Sequence, residues 1–108
     1  MIDWQRIREL RASTGEADFA EIVDLFLDEV EEALAGLSPG DDAKRLESGM
    51  HFLKGSALNL GFTAMSEMCG AAERAAADGR MDEVDVVAVQ GCYAESRDAF
   101  LAGLGALG

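Results

Sequence analysis

The sequence predicts an all-α fold: an antiparallel up-down four-helix bundle with an additional short N-terminal helix. Three observations lead there. Apolar residues recur at helical spacing along nearly the whole chain, and period-two alternation is absent. Pro39 is the single proline, and few β-branched residues occur outside Val84–Val89. The breaks between periodic stretches are short, and long amphipathic helices on short connections pack best as antiparallel neighbours.

Each element has its own signals. A first helix is expected over about Asp3 to Ala12, with Asp3 as N-cap and Trp4, Ile7 and Leu10 toward the core. Ser13-Thr14-Gly15 breaks it. The second helix, about Glu16 to Leu37, carries Phe19, Ile22, Val23, Phe26, Val30, Leu34 and Leu37 on one stripe. Between Glu16 and Glu32 it holds eight acids and no base, which reads as a solvated face. Ser38-Pro39-Gly40-Asp41 forms a turn, with an aspartate placed to cap the next helix. That third helix spans about Asp42 to Leu60, and Gly61 ends it. The fourth, about Thr63 to Asp78, turns Met65, Met68, Cys69 and Ala72 inward and stops at Gly79. Asp82 is expected to cap a fifth, with Val86, Val89, Tyr93, Phe100 and Leu104 in line.

Composition narrows the function. The 108 residues amount to one domain, and 49% of them are apolar, enough to bury one core. Nine Lys and Arg against 21 Asp and Glu give a net charge of -12. Nucleic acid and anionic membrane surfaces repel such a chain. No stretch approaches the 18 or so uninterrupted apolar residues of a membrane span, and charges near the start break any signal peptide. A cytoplasmic protein is expected, and Met1 suggests a free-standing domain. Cys69 and Cys92 lack CxxC spacing and are expected to be small buried residues in a reducing compartment. The tail from Gly103 to Gly108 formally matches GxGxxG. It follows a helix instead of a strand, so it is read as a fraying terminus. With one histidine in the chain, only one imidazole centre is available.

That histidine lies on the third helix. Leu46, Met50, Leu53, Ala57 and Leu60 form its core stripe, and His51 points about 140° away from the stripe's centre. Its helical neighbours are Glu47, Ser48, Lys54, Gly55 and Leu58. Lys54, one turn on, can bring an ammonium beside whatever the imidazole carries. Gly55 costs a mid-helix position about 1 kcal/mol relative to Ala. On the outward face, its missing Cβ lets another surface approach the ring. Leu58 is apolar on that same face, as a docking contact would be.

The run His51-Phe52-Leu53-Lys54-Gly55-Ser56-Ala57, continuing to Gly61, resembles the HxxKGS(S/A)xxxG signature of histidine-containing phosphotransfer (HPt) domains. Phe26–Glu29 is similar to the family's second helix, Asp41–Leu60 to its phosphohistidine helix, and Met65–Glu73 to the helix after it. Ala57 stands where a second Ser is commonest, and Ala72 where Leu is usual. The resemblance implies a phosphorelay intermediate. His51 would take a phosphoryl group from a receiver aspartate and pass it to another, with receivers belonging to a hybrid histidine kinase, a response regulator or both. Lys54 would stabilise the phosphoryl charge. Receiver docking is assigned to Ser48, Gly55, Leu58 and Leu25, and orientation of the ring to Glu73. The chain shows no P-loop and no carboxylate cluster arranged for a metal. It is expected to bind no cofactor of its own, with Mg²⁺ and the acceptor aspartate coming from the receiver. A phosphoryl carrier is therefore expected, monomeric and not an autonomous enzyme. Two rivals remain. A histidine-kinase dimerisation helix usually has an acid directly after its histidine, where this chain has Phe52. A degenerate HPt-like bundle would serve only as an interaction adaptor.

Overall fold

The computed structural model describes residues 1–106 and is all-helical apart from short connections and one isolated bridge between Ile2 and Phe62. Its elements are α1 (Trp4–Thr14), α2 (Glu16–Ala35), α3 (Ala43–Asn59), α4 (Thr63–Ala77), a 3₁₀ turn at Met81–Glu83 and α5 (Val86–Leu104). Each long helix packs on its neighbours in sequence, α3 most extensively on α4, and the molecule measures 44 × 20 × 18 Å. Among the described residues, no helix is long and apolar enough to cross a membrane.

Aspartates start three of the helices. Asp3 accepts from the Arg6 amide at 3.1 Å, Asp42 from Arg45 at 2.8 Å and Asp85 from Ala88 at 2.9 Å. Asp85 corrects the expected cap Asp82, which lies in the 3₁₀ turn that precedes α5. Asp41 closes its turn instead, accepting from the Ser38 amide and from Arg45 Nε. Arg45 also donates to the Gly36 carbonyl at 2.7 Å, so a cation satisfies the C-terminal end of α2. The first helix outlasts its expected end. Ser13 and Thr14 bond back to the Leu10 carbonyl, and only Gly15, at φ +85°, breaks it.

The core follows the expected stripes with four corrections, the first being Ile22, which is half-buried and outside the core. Leu27 is buried although no stripe assigned it, while Met68 is exposed and Cys92 only half-buried. Cys69 is fully buried, and burial, then the nearby Cys92, pushes its thiol up to about 12. Much of α4's buried face is small: Ser66, Cys69, Gly70, Ala72, Ala75 and Ala76. Such residues let α3 approach α4 closely.

One end of the molecule is tied down by the N-terminal residues. Asp3 N–H donates to the Gly61 carbonyl at 2.7 Å, and both the amide and the hydroxyl of Thr63 donate to the Met1 carbonyl. Gly61 has φ +73°, and a Cβ there would stand 2.7 Å from the Asp3 carbonyl oxygen, so this turn requires glycine twice over. Behind it Phe62 packs edge-on against Phe100, and Trp4 stacks on Phe100 at 6.1 Å. Gly103 lies inside α5 directly beneath the Trp4 ring, where any Cβ would overlap the indole. The first glycine of the GxGxxG tail is thus packed helix and not frayed; Leu107 and Gly108 lie outside the described residues.

Candidate functional site

The middle of α3 presents His51 to solvent, its side chain 69% exposed, while Met50 and Leu53 on either side of it are fully buried. Helical phase alone places it there. The ring is fixed by the neighbouring helix. Glu73, four residues after the buried Cys69 on α4, brings one carboxylate oxygen, Oε2, to 2.8 Å from His51 Nδ1. Its other oxygen, Oε1, accepts from Lys54 Nζ at 2.7 Å. One carboxylate therefore joins the histidine and the lysine of α3 through α4. The Lys54 ammonium, with the His51 ring in support, holds the Glu73 carboxyl below the usual carboxylate range.

This geometry assigns the ring nitrogens. An ionised carboxylate only accepts hydrogen bonds, so Nδ1 carries the proton in the neutral ring. The lone pair is then on Nε2, the nitrogen without the Glu73 contact. Lys54 reaches Glu73 because its stem passes over Gly70, where a Cβ would come within 3.4 Å of Lys54 Cδ. A small residue on α4 thus sets the course of a side chain on α3.

Residues 21–99 match the family model described as Hpt domain. The chain belongs to the Hpt domain family. No curated protein and no solved structure matches it. Hpt domains are phosphocarrier modules of two-component signalling, not classical enzymes, and they interact with receiver domains of kinases and regulators.

In this Hpt domain the other assigned residues surround the ring unequally. Ser48 lines a shallow depression with His51, Lys44, Glu47 and Glu73. Gly55 is open: among the described residues nothing stands within 4 Å of where its Cβ would be. Leu58 is 55% exposed on the same face of α3. Leu25 is 54% exposed on α2, but it shares neither the hydrogen bonds nor the depression of the Hpt site. Lys54, expected to stabilise the phosphoryl charge, has its ammonium on Glu73 in the unphosphorylated chain. Among the described residues, no group of three His, Cys, Asp or Glu side chains is arranged to hold a metal ion.

Sequence reasoning missed Phe52. It is 45% exposed and lines a groove with Ser48, Gly49 and Arg45 of α3 and with Ala33, Gly36 and Leu37 at the end of α2. Its signal was readable, because Phe52 lies outside the apolar stripe of α3, about 100° round the helix from His51. The Lys54–Glu73 contact left no such signal, since it depends on the register between two helices.

Proposed function

We propose that this Hpt domain is a phosphorelay intermediate that carries the phosphoryl group on His51 Nε2. The observation that carries the reading is the Glu73 bond to Nδ1, because it leaves Nε2 unengaged and solvent-facing. In the forward step the Nε2 lone pair forms the N–P bond as the acyl phosphate P–O bond of a receiver aspartate breaks. The aspartate leaves as a carboxylate. The ring keeps its Nδ1 proton and becomes cationic, and the Glu73 carboxylate offsets that charge. Such transfers pass through a loose transition state, governed by positioning and by neutralisation of charge. Mg²⁺ and the acceptor aspartate come from the receiver. A second receiver takes the group by the reverse step.

Docking, in this reading, uses the face that Gly55 leaves open, with Leu58, Ser48 and, farther off, Leu25 as contacts. The 108 residues act as one cytoplasmic, monomeric domain, its long helices arranged as an antiparallel up-down four-helix bundle. The purified protein is incubated with a panel of phosphorylated receiver domains. An acid-labile, alkali-stable label that disappears in His51→Gln is expected. Persistence of the label in that variant defeats the proposal, and receiver binding with no label in the native protein marks an adaptor.

A further inference from the structure

Lys54 is already committed. Its ammonium is bound to Glu73 at 2.7 Å, on the Nδ1 side of the ring. Side chains on a helix lean toward its N-terminus, so the His51 ring overlies the turn that holds Glu47 and Ser48. The depression beside it is lined by Lys44, Glu47, Ser48, His51 and Glu73. Lys44 is two turns before His51, about 20° from it around the axis and about 10 Å along it. Among the described residues Lys44 makes no ion pair, although Glu47 is only three positions away.

The charged groups lining the depression with the ring are Lys44, Glu47 and Glu73; Glu73 already neutralises Lys54, and the Arg74 guanidinium of α4 lies over Gly70, outside the depression. A phosphoryl group on Nε2 brings up to two more negative charges into this depression. Without a further cation it meets carboxylates on both sides.

We propose that Lys44 is the cation that contacts the phosphoryl group on His51, while Lys54 serves chiefly to hold Glu73. The assignment rests on the phosphorelay reading and adds a second lysine to it. Lys44 lines the depression together with the ring, makes no ion pair among the described residues, and has a flexible four-carbon stem that can turn back toward a phosphoryl group on Nε2.

The titration itself needs no receiver. Phosphoramidate transfers its phosphoryl group to Nε2: the donor P–N bond breaks, the new N–P bond forms and ammonia leaves. The phosphorylated protein is then titrated by ³¹P NMR. A neighbouring cation lowers the pH at which the phosphoryl group takes up its proton. Lys44→Ala is expected to raise that pH by roughly 0.3–0.5 unit, the size of an exposed charge pair. Lys44→Glu should raise it further, Lys44→Arg should restore it, and the difference should shrink in high salt. A Lys44→Ala titration that coincides with the native one overturns the assignment. So does unchanged titration together with slower transfer from a receiver, which would make Lys44 a docking contact. Failure of the native protein to label on His51 is a separate result: it defeats the phosphorelay reading, and this assignment with it.

Discussion

At Gly55 the α3 helix gives up about 1 kcal/mol of propensity relative to alanine, and the space above it is empty to 4 Å. Gly55→Ala should therefore stabilise the isolated protein by up to about 1 kcal/mol in a denaturant titration. Gly55→Gln should keep the fold and slow receiver transfer. The same exchange at Gly49 has a different outcome. There a Cβ would stand 2.7 Å from Leu37 Cδ2, so Gly49→Ala should fall at least about 1 kcal/mol short of Gly55→Ala. Equal gains at both positions would show that Leu37 moves aside freely. Helical phase alone separated the outward Gly55 from the core stripe, so its openness was legible in the sequence. The partner of Lys54 was not. Glu73 supplies a pH dependence of definite sign. Its carboxyl titrates lower in the folded protein than in the unfolded chain, first through Lys54 and then through His51. Its contribution is present above the ordinary carboxylate range and is lost as pH falls through the lowered folded value. Glu73 is mostly covered, but the His51 and Lys54 groups that hold it stay open to solvent, so the effect on stability is modest. Carboxyl carbon NMR should follow it directly, and in Lys54→Ala the Glu73 midpoint should move back up toward the usual range. An unmoved midpoint would mean that the lysine does not hold it.

Between elements, the polar link from α2 to α5 is carried by Tyr93. Its hydroxyl donates to Glu31 Oε2 at 2.6 Å, while Arg97 approaches the same carboxylate at 3.5 Å and lies over the ring. Burial, then Glu31, pushes the phenol up, so it stays a donor throughout the physiological range. Tyr93→Phe leaves the packing in place and the carboxylate short of a donor. It should cost about 1–2 kcal/mol in chemical denaturation, with phosphotransfer unchanged, since α2–α5 contacts do not reach His51. A neutral result would assign the seam to packing alone. Most helix limits were legible because three of the N-caps are aspartates and three of the breaks, Gly15, Gly61 and Gly79, are glycines at positive φ. The start of α5 was not. Asp82 and Asp85 both lie between the Gly79 break and Val86, and the choice rests on the 3₁₀ turn that Arg80 and Glu83 close. Met68 was misplaced for a related reason: α4 is so rich in small residues that its buried face is broad, and the phase of one methionine does not fix the edge.

For the whole molecule, a net charge of -12 on 108 residues disfavours self-association. Sedimentation equilibrium should give a monomer at moderate salt, and a tight dimer covering His51 would contradict the docking face. The helical class was legible at this scale, because periodicity summed over a whole chain is a stronger signal than any single boundary. The pinning of residues 1–3 against the α3–α4 turn was not, since backbone-to-backbone contacts leave no mark on residue type. That end also holds the only tryptophan, Trp4, between Phe100 and Gly103. His51 is nine residues before Leu60 on α3, roughly 13.5 Å along the axis from that turn. Indole emission thus watches the first helix dock on the last, away from the imidazole. If the chain unfolds as one unit, emission and far-UV dichroism should trace a single curve in denaturant; an earlier fall in emission would time the release of α1 on its own. The protein carries an optical gauge at the end away from its chemistry, so folding can be followed in the middle of a transfer reaction without the two signals mixing.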